Sequence, residues 1–518
     1  MNLLKPNRKI FAVLVCLVLG LMLCGCTEKV EFSQEKIPVD VTELSMVLQP
    51  GETVLLDKLT VLQRADLRGS ENYAEIMDWA AAHPEVDVLY SVAFPEGSVV
   101  ENTAVSLDLS GLNAADVPAA VELMGYLPEL KELKLLPGVF SPAEVMSLTS
   151  AVEGLAFEYS YQLDGREIDH YAESLDLTGI SSAAVTEALA LLPNLPELKS
   201  VELGNSNETK LSWDELYALI SACPELDFDY AFTVYGQIFD LDSTVMDLNH
   251  RELPDNGAEA YQAARCMKKL ELLDMDFCGV PNEVMEQIRD GLPGVKVVWR
   301  IWFGNNYSVR TDVEKILASK PSVGGALRDA DVQVLKYCTD VKYIDLGHNE
   351  VITDISFVSH MPRLEVAIFA MNDIVDISPL ANCPELEYLE IQTNNRLADI
   401  SPLAACTKLR HLNTAHCREI SDISALYGLD ELERFWLGAS NGVPQEQKDE
   451  FCRLHPDCEL DDMVFSDPTS DGWRIVDMKI DAWIPIYHPR YEILLEQFGY
   501  LTEDYSFSWK DPKYNGEG

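Results

Sequence analysis

Leu386-Glu-Tyr-Leu-Glu-Ile-Gln-Thr-Asn394, followed by Asp399-Ile-Ser-Pro-Leu403, decides how this chain folds. The same two phrases recur around it. Asp354-Ile-Ser-Phe357, Asp376-Ile-Ser-Pro-Leu380 and Asp422-Ile-Ser-Ala-Leu426 stand with it at intervals of 22, 23 and 23 residues. Each is followed by a short apolar–polar alternation: Leu364-Glu-Val-Ala-Ile-Phe369, Leu409-Arg-His-Leu-Asn-Thr414 and Leu432-Glu-Arg-Phe-Trp-Leu437. Alternate side chains of an extended stretch point to opposite faces, so each phrase sends its aliphatics inward and the residues between them outward. A coil this short cannot bury its own apolar edge. Stacked copies can, and stacking lines the short strands up in a parallel sheet.

The frame is the L-x-x-L-x-L-x-x-N/C pattern of leucine-rich repeats, with Asn349, Asn372, Asn394 and Cys417 in its last position. Over about a hundred residues the D-I-S-P-L step resembles the 22-residue repeats of internalins, surface proteins that bind host receptors. That resemblance implies strands lining a concave face and a short helical turn on the convex side. The expected fold class is therefore α/β, a leucine-rich-repeat solenoid with a parallel concave sheet and helices or helical turns outside it.

Upstream the period is longer. Pro84-Glu-Val-Asp-Val-Leu-Tyr90, Gly154-Leu-Ala-Phe-Glu-Tyr159, Pro224-Glu-Leu-Asp-Phe-Asp-Tyr230 and Pro293-Gly-Val-Lys-Val-Val-Trp299 recur at about 70-residue spacing. Leu107-Asp-Leu109, Leu175-Asp-Leu177 and Leu130-Lys-Glu-Leu133 fall between them, which gives a three-coil super-repeat in one continuous parallel sheet. Ser141-Pro-Ala-Glu144 and Ser212-Trp-Asp-Glu215 are capping boxes that open the connecting helices. The expected organisation is a signal at 1–25, a tether at 26–50, long irregular repeats at 51–303 and a seam at 304–335. Regular repeats follow at 336–440, then a last coil and C-terminal cap at 441–518. The aromatic stretch 465–518 is expected to cover the end of the last coil, where an open end would expose apolar edges.

The N-terminus reads as an address. Lys5, Arg8 and Lys9 precede an apolar run at 10–23, too short to span a bilayer comfortably, which ends in Leu23-Cys-Gly-Cys26 and then polar residues. This resembles a bacterial lipoprotein signal, which implies lipidation of Cys26 and a protein held to the cell-envelope membrane, facing outside the cytoplasm. Acyl chains on one cysteine together give a stable anchor. The nine cysteines beyond it follow no paired spacing. Cys223, Cys383 and Cys406 stand where apolar residues belong and read as buried core, and only Cys452 and Cys458 are close enough to suggest a bridge. The formal net charge of −47 repels phosphate backbones and argues against a nucleic-acid partner.

No nucleophile elbow, phosphate loop, dinucleotide fingerprint, zinc-protease helix or paired-cysteine motif occurs, so neither catalysis nor a cofactor is expected. Asp274-Met-Asp-Phe-Cys-Gly279 hints at a calcium loop but has Met285 where the closing acid belongs. The candidate site is the outward face of the regular strands. One column reads Tyr343, Val366, Tyr388, His411, Arg434, and the next Asp345, Ile368, Glu390, Asn413, Trp436. A third includes His348, Met371 and His416. Tyr343, Asp345, Tyr388, Glu390, His411, Asn413, Arg434 and Trp436 are the expected ligand-binding residues, since aromatics and arginine dominate protein interfaces. A protein or peptide ligand is the leading expectation, reached by a membrane-tethered binder. A glycan or cell-wall ligand is the alternative, suited by exposed aromatics. Trp299, Trp302, Phe303 and Tyr307 read as core and seam packing.

Overall fold

A computed structural model describes residues 28–304, 307–319, 326–440, 442–463, 472–479 and 484–498. Cys26 and the signal lie outside them. The chain divides into two compact units between Ala231 and Phe232.

In the first unit, three-residue parallel strands follow one another with helices between them. Glu43–Ser45, Arg64–Asp66 and Asp87–Leu89 form one sheet, and Ser106–Asp108, Glu132–Lys134 and Ala156–Glu158 form the next. The central residue of each strand (Leu44, Ala65, Val88, Leu107, Leu133, Phe157) is buried. The two sequence capping boxes form as read: Glu144 N–H donates to Ser141 Oγ at 3.4 Å and Ser141 N–H to Glu144 Oε2 at 2.7 Å, with the same pair at Ser212 and Glu215. Residues 29–48, expected to be tether, are folded. They form a hairpin, Lys29–Glu31 with Lys36–Pro38, and the first repeat strand, with Val30, Phe32, Leu44 and Leu48 buried.

The parallel sheet of the long repeats is not continuous. After every third strand an antiparallel hairpin intervenes: Ser91–Ala93 with Val99–Glu101, Ser160–Leu163 with Arg166–Asp169, and in the second unit Arg300–Phe303 with Tyr307–Arg310. Two of the reversals take only two residues: Asp164 and Gly165 sit at φ +50° and +75°, and Tyr235 and Gly236, between the strands Asp227–Val234 and Gln237–Asp240, at +47° and +78°. Positive φ at both central residues is the geometry that lets two strands reverse in two residues.

The second unit carries the regular repeats. Lys315–Leu317, Tyr343–Asp345, Val366–Ile368, Tyr388–Glu390, His411–Asn413, Arg434–Trp436 and Glu459–Asp461 form one seven-stranded parallel sheet. The convex side carries 3-10 turns at Ser356–His360, Ser378–Asn382, Ser401–Ala405 and Ser424–Gly428. The D-I-S step is an Asx turn that starts each of them. Asp354, Asp376, Asp399 and Asp422 each accept the N–H of the serine two residues on, at 2.7–2.8 Å.

The Asn position is a second ladder. Asn394 Nδ2 donates to Ile391 O at 2.7 Å and to Phe369 O of the preceding coil at 3.1 Å, while its Oδ1 accepts Ile374 N–H at 2.9 Å. Cys417 keeps one of these bonds, Sγ to Ile391 O at 3.2 Å. The residue before each ladder position is left-handed without being glycine: His348, Met371, Thr393 and His416 have φ between 56° and 63°. Each pays that strain back by donating its N–H to the next coil, as His416 does to Gly438 O at 2.8 Å. Cys452 and Cys458, like the other described cysteines, are free thiols.

Candidate binding site on the concave sheet

The strand register places the outward columns as the sequence frame implies. Tyr343, Val366, Tyr388, His411 and Arg434 are successive Cα partners, as are Asp345, Ile368, Glu390, Asn413 and Trp436. The columns are not open, however. Tyr388, Glu390, His411, Asn413, Arg434 and Trp436 are each at most 5% exposed, Asp345 is buried, and Tyr343 is half-buried. What covers them is the chain's own C-terminal stretch. Residues 472–498 hold a hairpin, Ile475–Lys479 with Ile484–Tyr487, and a helix, Pro489–Phe498. The expectation that this tail caps the end of the last coil is corrected here: its described part reaches across the sheet from Arg434 to Tyr343.

Glu390 is the centre of the contact. Its carboxylate, with no exposed surface, accepts from Tyr388 Oη at 2.5 Å and Gln392 Nε2 at 3.1 Å on its own sheet. From the tail it accepts Trp473 Nε1 at 2.8 Å and Arg474 Nε at 2.9 Å, with Arg474 Nη2 closing the second oxygen. Burial alone would raise its pKa, but the Arg474 guanidinium and these donors outweigh it and hold Glu390 below the usual carboxylate range. Burial, then the Glu390 charge, pushes the Tyr388 hydroxyl well above its ordinary value.

The Trp473 ring lies in a box of aromatics. Its centroid is 5.3 Å from Trp436, 5.6 Å from Tyr388 and 6.3 Å from His411. Arg434 stacks over both tryptophans at 4.7 and 4.9 Å, and its guanidinium reaches past them to Gly472 O at 2.6 Å, Trp473 O at 3.1 Å and Glu459 at 2.9 Å. Burial and the Arg434 charge push His411 down to about 3, so it is a neutral ring at physiological pH. At the far edge Gln497 Nε2 donates to Tyr343 Oη at 3.1 Å, and Phe498 packs edge-on against Tyr343. Asp345 and Asn413 turn back on their own backbone, accepting Gly347 and Ala415 N–H at 2.8 and 3.0 Å.

With Arg474 on Glu390, His411 and His416 do not join it in a metal site, and no metal-ligand cluster occurs among the described residues. The acids of the calcium-like stretch are likewise paired, Asp276 with Arg300 at 2.7 Å and Asp274 with Arg310 at 2.9 Å. Of the second aromatic set, Trp299 is core, bonded to Asn282 at 2.9 Å, whereas Trp302 stands 56% exposed. The first unit carries a groove of about 1030 Å3 across its second sheet, lined by Asp108, Glu132, Lys134, Glu158 and Glu167. The sequence columns, traced only through the regular repeats, did not reach it.

Residues 362–405 and 384–428 match the family described as Leucine Rich repeats (2 copies). No curated protein matches the chain. Among solved structures, an internalin (inlF) from Listeria monocytogenes is 15% identical, with 87% of this chain and 88% of that one covered at a TM-score of 0.24. A leucine-rich-repeat protein from Leptospira interrogans is 17% identical over 82% and 96%, at 0.26. The mouse RP105/MD-1 complex is 12% identical over 82% and 68%, at 0.21. Residues 362–428 are therefore leucine-rich repeats.

Proposed function

We propose that this chain is a lipid-anchored protein of a bacterial cell envelope, facing outside the cytoplasm, that binds a polypeptide partner on the concave sheet of its regular repeats. The observation that carries this reading is that the sheet already grips a stretch of polypeptide. Gly472-Trp473-Arg474 is held by hydrogen bonds to Arg434 and Glu390, through both its backbone carbonyls and its side chains, and His411 on the strand between them lies against the Trp473 ring. Buried aromatic and arginine anchors of this kind dominate the energetics of protein interfaces. The anchor rests on the signal ending at Cys26. The glycan alternative asked for a flat open row of Tyr343, Tyr388 and Trp436, and that row lies under the tail.

Two measurements test the proposal. Cys26→Ala should move the protein from the membrane fraction to the soluble one and abolish labelling by a fatty acid, and unchanged fractionation would remove the anchor. Chemical cross-linking in intact cells from a photoreactive residue at position 436 should trap a protein partner. A cross-link only to glycan would replace the polypeptide reading with the alternative.

A further inference from the structure

Three buried polar atoms beneath the tail have no hydrogen-bond partner among the described residues: His411 Nδ1, Trp436 Nε1 and Gln392 Oε1. Gln392 itself bonds Glu390, and the His411 and Trp436 rings lie against Trp473. The tail thus satisfies Glu390 and Arg434 but leaves these three atoms beside them unserved. A buried polar atom left unpaired penalises the state that buries it. A ligand that kept the central pair and also served these three atoms would bind the sheet better than the tail does.

We propose that the concave sheet is a receptor for an aromatic–arginine dipeptide on a polypeptide partner, and that the chain's own Trp473–Arg474 occupies this place until the partner displaces it. This rests on the concave-face reading above and names the partner's chemistry. Glu390 dictates the arginine. It has no exposed surface, so whatever replaces Arg474 must bring a positive charge, and the carboxylate takes Nε and Nη2 together, a fork that lysine lacks. The preceding residue must be a flat ring that fits among Tyr388, His411 and Trp436, and a ring N–H aimed at Glu390 Oε1 favours tryptophan. Arg434 adds no side-chain requirement, because its bonds go to backbone carbonyls, which any peptide supplies. The strongly acidic chain favours approach of a basic partner.

The test uses the full chain and a labelled peptide of the sequence Gly-Trp-Arg-Ile-Val-Asp-Met-Lys, copied from residues 472–479, read by fluorescence anisotropy. A tethered competitor at an effective concentration near a millimolar weakens a ligand of ten-micromolar affinity by about a hundredfold. The Trp473→Ala/Arg474→Ala chain should therefore bind the peptide about a hundredfold more tightly than the natural chain. Replacing the peptide's arginine by alanine, or adding Glu390→Gln to the variant chain, should each lose at least about tenfold. Peptide binding that ignores both changes would overturn the aromatic–arginine class while leaving a polypeptide-binding face in place, and no binding at all would overturn both readings. Hydrogen exchange of the unaltered chain needs no vacated site. Amides of 472–498 should open at least about tenfold more often than those of 386–416, and equal protection would make the tail a permanent part of the fold and sink its displacement.

Discussion

Removing Arg474 is the sharpest perturbation of the tail contact. In Arg474→Ala, Glu390 loses its only cationic partner among the described contacts while Tyr388, Gln392 and Trp473 remain. A buried charge stripped of its partner costs about 3–5 kcal/mol. Taking about 3 kcal/mol for the variant, the tail should open about a hundredfold more often, at a factor of ten per 1.36 kcal/mol. Native-state hydrogen exchange on peptides covering 472–498 reads this directly, corrected for intrinsic exchange at each pH. The pH dependence has a definite sign. In the natural chain Glu390 titrates below its unfolded value near 4.3, so its contribution is present above that pH and is lost as pH falls through the folded pKa. In Arg474→Ala the opposing cause, burial, is left to dominate and raises the folded pKa. The variant's penalty is then absent below the unfolded value and appears as pH rises through the folded one. The gap between the two proteins should be wide at pH 7 and smaller at pH 4, closing further only as pH falls through the folded pKa of Glu390. A gap of less than about tenfold at pH 7, or one of equal size at both pH values, would refute the pairing as the clamp.

Gly472→Ala should loosen the tail without touching the sheet. Gly472 sits at φ +86°, and an added Cβ would meet Trp436 Cζ2 at 3.3 Å, so we expect about 1 kcal/mol and exchange about fivefold faster in 472–498 only. Asn394→Ala removes two donors to buried carbonyls and the acceptor of Ile374 N–H. The regular repeats should lose about 3 kcal/mol in urea unfolding, and a loss below about 1 kcal/mol would show that water replaces the ladder. Thiol labelling of the folded protein at pH 8 should modify exposed Cys452 and spare Cys383, Cys406 and Cys417, whose thiols burial pushes up to about 12, 11 and 12. Modification of Cys417 ahead of Cys452 would contradict the buried ladder.

The repeat frame was legible because each of its positions is fixed by a local physical need that allows few residue types. Aspartate is needed to start the convex turn, asparagine to hold two carbonyls and an N–H, and aliphatics to fill the coil. The hairpins that interrupt the long repeats were less visible, because one strand of each continues the preceding apolar phrase. The turn left a mark all the same: Asp164-Gly165 is the residue pair that a two-residue reversal favours. Tyr235-Gly236 gave no such warning, since tyrosine rarely adopts positive φ.

The columns were readable to the residue, yet their environment was not, and the reason lies in sequence distance. Trp473 and Arg474 bond to Glu390 across 83 and 84 positions, and no periodicity links a tail to the face it covers. A signal did exist within the columns themselves. An outward face left to solvent has no use for Val366, Ile368 and Trp436 in its columns, and all three are buried. Nor does a solvated sheet keep a lone glutamate between an isoleucine and an asparagine, beside a tyrosine, unless something cationic comes to meet it. The acidic excess of the chain hid that clue, because one more carboxylate among 86 acids carries no weight by count. Position supplies the weight. Glu390 is the acid whose neighbours in both columns are uncharged, so its partner had to come from outside the sheet, and the nearest arginine beside an aromatic in the stretch after the last coil is Arg474.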